Sequence, residues 1–356
     1  MIDLRIQRSA LLALAAAALF GASTPLAKLL LGAMPPLVLA GLLYLGSGLG
    51  LGAAIAARRA FGRAGGSSRA EAPIARADLP WLAGAIVAGG VLAPAVLLWG
   101  LAGTTASSAS LLLNFEGVIT TLIAAVLFSE AVGRRVWLAA LVMLVAGALL
   151  VHDPGEPLRF SAHALGIVAA CLLWALDNNL TRKIAGADPV QIAAIKGITA
   201  GATNLAVGLG AGGALPGVPT LAAAAAIGFA SYGVSLVLFI YALRHLGAAR
   251  TAAHFSTAPF IGAALAMPLL GEPVTSTLVA AAALMALATW LLLTETHEHE
   301  HAHEHMTHTH RHLHDEHHQH AHRGDEGPEP HAHEHVHGSL THRHPHLPDL
   351  HHRHGH

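Results

Sequence analysis

Thiols are almost absent: Cys171 is the single cysteine among 356 residues, so no intrachain disulfide can form and no thiolate metal centre can be built. Charge is scarce as well. Asp, Glu, Lys and Arg make up 12% of the chain, against about a quarter in soluble domains, too few to cover a water-facing surface. Aromatics contribute 5%, with only three tyrosines. Aliphatic residues take their place: 54% of the chain is hydrophobic and the mean hydropathy is +0.54. Apolar stretches of about 20 residues follow one another from Ala10 to Thr294, each long enough to cross a hydrocarbon layer about 30 Å thick. The class these features leave is an all-α polytopic membrane protein.

The stretches place spans near residues 9–31, 36–57, 80–101, 105–129, 135–152, 162–182, 189–211, 219–243, 248–270 and 274–294. The basic start, apolar core and small residues of "RIQRSALLALAAAALFGASTPLA" also fit a signal peptide. That run outlasts a signal core and continues through "KLLLG", so it reads as an uncleaved first span. Basic residues then sort by side. With ten spans, Arg5, Arg8, Arg58, Arg59, Arg63, Arg69, Arg76, Arg134, Arg135, Arg182, Lys183, Arg244 and Arg250 share one face, and the opposite face has Arg159. The positive-inside rule puts both termini in the cytoplasm, and a bacterial inner membrane is the expected location.

Sliding the chain on itself by 142 residues aligns spans three to five with spans eight to ten. The matches include Glu130 with Glu272, Val132 with Val274 and Met143 with Met285. An offset of 154 aligns the first two spans with the sixth and seventh, setting Pro35 against Pro189 and Phe20 against Trp174. Five spans repeated means that the second copy enters from the opposite membrane face. Such inverted repeats underlie many transporters, because two similar halves can exchange inward-open and outward-open states. The expected units are a first five-helix repeat at 1–152, a second at 153–294, and a disordered cytoplasmic tail at 295–356.

Three stretches carry a family likeness: "FGASTPLAKLL" in span one, "ASLLLNFEGVITTLIAAVLFSEAV" in span four and "AAHFSTAPFIGAALAMPLLGEPV" in span nine. They resemble the EamA family of the drug/metabolite transporter superfamily, over roughly residues 9–294. Pro259 keeps a mid-helix proline of that pattern and Gly117 replaces it in the first copy. The resemblance implies a transporter and leaves the substrate open.

Polar groups within spans are costly unless they face protein or water, which makes each one a candidate site. Glu116 leads. It lies mid-span in "NFEGV", near Asn114 and Thr120, and either binds substrate, couples a proton, or pairs structurally with Lys28 or Lys196. Asp177, Asn178 and Asn179 in "WALDNNLTRK" form a second cluster, alternatively an interfacial cap. Lys28 near a span end can snorkel, whereas Lys196 in "AAIKGIT" is less easily excused. His254 is a proton shuttle or a packing residue. Trp99, Trp174, Tyr232 and Tyr241 line a solute path or anchor at the interface. The "GSGLGLG" glycines suit close helix packing.

The tail holds 24 of the 28 histidines. The candidate ligands for a divalent zinc, nickel or cobalt ion are His297, His299, His301, His303, His305, His308, His310, His312, His314, His317, His318, His320, His322, His331, His333, His335 and His337. No cofactor is otherwise required. Few apolar residues and "GDEGPEP" argue for disorder without metal. A stretch that gains protons between pH 7 and 6 could instead sense acidity. "HEHEH", "HEHAH" and "HEHVH" match the zincin pattern, but in a His/Glu tract such matches arise freely, so no enzyme is expected.

The leading expectation is a secondary transporter exporting small organic metabolites by alternating access, embedded in lipid, with no nucleic-acid partner. The alternatives are a divalent-metal exporter fed by the tail and a non-transporting, membrane-tethered metal store or sensor.

Overall fold

The computed structural model describes residues 4–61, 74–128, 133–152, 161–184, 187–246, 248–294, 297–303, 306–312, 331–337 and 340–346. Among the described residues, ten helical stretches are long and apolar enough to cross a membrane, from Arg8–Leu31 to Ser276–Leu293, within a few residues of the expected spans. The chain is an integral membrane protein.

Six spans are single helices: α1 (Leu4–Leu30), α2 (Pro36–Phe61), α7 (Arg134–Val151), α8 (Ala162–Arg182), α9 (Pro189–Gly210) and α14 (Ser276–Leu293). The other four are interrupted. Span three comprises α3 (Leu79–Ala85), a π-helical stretch Ile86–Leu92 and α4 (Ala93–Ala102). Span eight repeats this with α10 (Val218–Gly228), a π-helical stretch Phe229–Val234 and α11 (Ser235–Leu246). Span four breaks between α5 (Ala106–Leu112) and α6 (Phe115–Phe128), and span nine between α12 (Ala248–Phe255) and α13 (Ala258–Leu270). At the offset of 142, each irregularity falls on its counterpart to within about a residue. The fold is two inverted five-helix repeats, and the repeat extends to the defects in its helices.

Small residues set the packing. Spans two and seven lie backbone to backbone: a side chain on Gly48 would meet Gly197 and Ile198, and one on Gly201 would meet Leu45. This fulfils the packing role expected of the span-two glycines. Spans one, four and nine meet similarly through Gly21, Ser110 and Gly262. The main apolar core joins Leu39, Leu43, Leu98, Leu111, Leu112, Met143, Ile167 and Met285 from both repeats.

Beyond the bundle, four seven-residue backbone segments pair antiparallel: β1 (His297–His303) with β4 (Leu340–His346), and β2 (Met306–His312) with β3 (His331–His337). His-x-His alternation has the two-residue period of such paired backbone. Of the tail candidates, His305, His314, His317, His318, His320 and His322 lie outside the described residues.

Candidate functional site

Pro94 starts the local story. A proline has no N–H to donate, and the Ala93 N–H is already given to the Ala88 carbonyl in the π-helical pattern. The carbonyls of Gly89 and Gly90 are left for side chains. Gly89 O accepts from the Tyr44 hydroxyl at 2.9 Å and from Trp174 Nε1 at 2.9 Å, while Gly90 O accepts from Asn204 Nδ2 at 3.1 Å. One defect in span three therefore ties together spans two, six and seven.

Asp177 fits only because residue 89 has no side chain: a Cβ there would collide with the Asp177 carboxylate. Buried at this point, Asp177 forms an ion pair with Lys196, and its second oxygen accepts from Thr181 Oγ1 at 3.0 Å. A buried charge is tolerated when paired and hydrogen-bonded, and here both conditions hold. Asp177, expected either in a site or in an interfacial cap, is part of an internal pair.

Glu116 opens α6 just past the break in span four. Its Oε1 accepts from Asn178 Nδ2 at 2.9 Å, and Asn178 also reaches Thr120 Oγ1 at 3.4 Å. Neither Lys28 nor Lys196 bonds to Glu116, so the structural pairing considered from the sequence is absent; both lysines are engaged elsewhere. Among the described residues, Oε2 of Glu116 has no hydrogen-bond donor. Asn179, one position on, is buried and straps α8 to α6 through the Thr120 carbonyl at 3.2 Å. Asn114 turns the other way, donating to the Leu111 carbonyl at 2.8 Å and facing Thr289 of span ten. It shapes the break and does not join Glu116.

An aromatic chain completes the site. Tyr44 and Tyr232 have ring centroids 5.7 Å apart, Phe20 lies 5.9 Å from Tyr232 and 5.4 Å from Phe255, and Phe239 lies 5.0 Å from Phe255. These rings come from spans one, two, eight and nine. Phe20, Tyr44, Tyr232, Phe255 and Glu116 all contact other helices and keep part of their surface accessible. Tyr44 was not singled out from the sequence. Its signal was available: one polar-tipped ring in the middle of an otherwise aliphatic span, "GLLYLG".

Three expected residues lie apart. Trp99 is 45% exposed, stacks on His163 at 4.7 Å, and borders a peripheral cleft of about 510 Å³ with Pro35, Pro36 and Gly208. Tyr241 is 46% exposed, on the periphery. His254 occupies the last turn of α12, half-buried beside Phe255. Among the described residues no three His, Cys, Asp or Glu side chains form a metal-ligand set.

Side chains fasten one end of the bundle. There, Lys28 donates to the carbonyls of Leu101 at 2.5 Å, Ala102 at 3.1 Å and Thr104 at 2.8 Å, where α4 ends. Glu272 accepts from the backbone N–H groups of Ala106 at 2.6 Å and Ser107 at 2.8 Å, where α5 begins. A cation on a helix C-terminus and an anion on a helix N-terminus both match the helix dipoles. Gly271, at φ 65°, ends α13 in the left-handed conformation that presents Glu272 to α5. Spans one and nine are thereby fastened to the turn between spans three and four, and α13 packs on α5. The counterparts of that last pair, α6 and α12, have no comparable packing among the described residues. The Lys28 and Glu272 contacts hold the Glu272 end of the bundle together.

A ten-span bundle of inverted repeats with ionisable groups buried between its helices is an architecture used by membrane carriers. The EamA-like transporter family model matches residues 7–152 and again 162–294, and the chain belongs to that family, within the drug/metabolite transporter superfamily. It is similar to an uncharacterized transporter of Methanothermobacter thermautotrophicus, 29% identical over 268 residues, spanning 71% of this chain and 77% of that protein. A solved crystal structure resembles it with a TM-score of 0.56 at 20% identity, covering 80% of this chain and 95% of the other, a likeness of fold alone.

Proposed function

We propose that the protein is a secondary transporter that moves a small organic solute by alternating access, with Glu116 and Asn178 at the solute site. The observation that carries this reading is the partly accessible Glu116 carboxylate. It sits at the seam between the repeats, bonded to Asn178 of the second repeat, in a bundle fastened at one end by Lys28 and Glu272. The thirteen basic residues expected on the side opposite Glu272 support a cytoplasmic assignment for that side and an outer assignment for the Glu272 end. In this reading export begins with loading from the cytoplasm and ends with release of the contacts at the Glu272 end.

Asp177 and Lys196 serve as the floor of the site, holding spans six and seven at a fixed distance and leaving Glu116 as the ionisable group free to act. Reconstituted in liposomes and screened with small organic solutes, the full chain is expected to exchange solute across the bilayer. Glu116→Gln keeps the side-chain shape and removes the charge, and it should abolish or uncouple that exchange. Unchanged kinetics would remove Glu116 from the mechanism.

The tail is a divalent-metal ligand in this reading. Its backbone register supports the assignment: His299 stands opposite His344 and His301 opposite His342, as do His308 and His335, and His310 and His333. Residues so paired are about 4.5–5.5 Å apart at Cα, within range for two imidazoles to share one ion. Metal as cargo is the competing reading, and zinc flux measured beside organic-solute flux separates the two.

A further inference from the structure

The balance of charge and aromatic surface around Glu116 bears on the kind of solute. Three ionisable groups cluster there. Glu116 is bonded to Asn178, the neighbour of Asp177, which pairs with Lys196, and Tyr44 donates to the carbonyl of Gly89, the residue packed directly against the Asp177 carboxylate. Lys196 is spent on Asp177, so an ionised Glu116 leaves the cluster with one uncompensated negative charge. The remaining lysine of the spans, Lys28, is bound to three carbonyls at the Glu272 end. A carboxylate-bearing solute would thus meet a net negative site in which Lys28 and Lys196, among the described residues, are both engaged.

The rings point the same way. Aromatic faces carry negative quadrupole density and attract cations, by about 0.5–2 kcal/mol according to how well water is excluded. Tyr44, Tyr232 and Phe20 form one connected group from three spans, and Trp174 is fixed against the same Gly89 carbonyl as Tyr44. With both hydroxyl and indole N–H anchored, Tyr44 and Trp174 are held in place. The unpartnered Oε2 of Glu116 completes a receptor with one anionic point and several apolar faces.

We infer that the site takes an organic cation, a protonated amine or quaternary ammonium on an apolar body, with Glu116 as its counter-ion and the Tyr44–Tyr232 pair as its aromatic wall. This rests on the carrier reading and names its substrate class. Size and charge select together: the ammonium finds its opposite charge at Glu116, and the apolar body replaces water against the rings.

The test uses three probes built on one benzyl body: benzyltrimethylammonium, neutral benzyl alcohol and anionic phenylacetate. Binding to the purified full chain is followed by calorimetry, and movement by counterflow in liposomes. The cation is expected to bind best. Glu116→Gln should weaken it about tenfold or more, Glu116→Asp should keep most of the affinity, and Tyr44→Leu should reduce it severalfold. Phenylacetate binding as well as the cation, or a cation affinity untouched by Glu116→Gln, would overturn the inference. Counterflow of phenylacetate alone would do the same and leave the carrier reading standing. Glu116-dependent binding of the cation without movement of any probe would uphold the inference and count against the carrier.

Discussion

A methyl group at residue 89 would strike the Asp177 carboxylate, which makes Gly89 the position where the site is least forgiving. Gly89→Ala should separate Asp177 from Lys196 and leave two buried charges without each other, a loss of about 3–5 kcal/mol. Thermal unfolding in detergent should fall markedly, and solute exchange should fall with it; unchanged stability would mean that the pair is not structural. The charged members of the site were legible in the sequence, because Glu116, Asp177 and Lys196 stand out in apolar runs. Their pairing was not. Which carboxylate takes Lys196 depends on how spans six and seven are rotated, and that rotation is set by contacts distant in the chain. Tyr44 escaped for a related reason. Its role comes from the free carbonyl beside Pro94 in the next span, and a tyrosine in isolation gives no hint of it.

The elements repeat more faithfully than the residues do. Spans three and eight share a π-helical stretch, and spans four and nine share a break, although identities between the repeats are few. Span positions could be read from apolar length. The defects could not, since a π-helical turn and an α-helical turn are equally apolar. The fastening at the Glu272 end belongs to this scale, as a contact between one helix terminus and the loop after another. Glu272→Gln keeps the side-chain shape but removes the charge that meets the two N–H groups of α5, an interaction of about 1.5–3 kcal/mol. That end should then open more often. A single cysteine placed at Ser108 should react faster with a thiol reagent in the Glu272→Gln protein than in its parent, and equal rates would show that the contact does not hold this end shut. Lys28→Met should act in the same direction by freeing the end of α4.

At the scale of the molecule, ten spans, their inverted repetition and the family likeness were all present in the sequence, because membrane crossing is dictated by length and hydropathy. The tail is separate in composition from the bundle and is predicted to be separate in function. A chain stopped at Thr294 should unfold at the same temperature as the full chain and keep organic-solute exchange, while losing most zinc or nickel binding. A truncated protein that still binds metal with the full affinity would place the ion elsewhere. Loss of solute exchange on truncation would instead make the tail part of the transport cycle.

Alternating exposure of the Glu116 site to the two sides of the membrane is the claim on which the account depends. The buried Cys171 is the one native thiol, so Cys171→Ser gives a clean background for Thr120→Cys beside Asn178. Labelling of that cysteine with a charged, membrane-impermeant maleimide, added to one side or the other of oriented vesicles, tests it most directly. The account predicts reaction from the cytoplasmic side, and reaction from the outer side once Glu272→Gln releases the Glu272 end. Labelling from one side only, unchanged by Glu272→Gln and by transported solute, would contradict it.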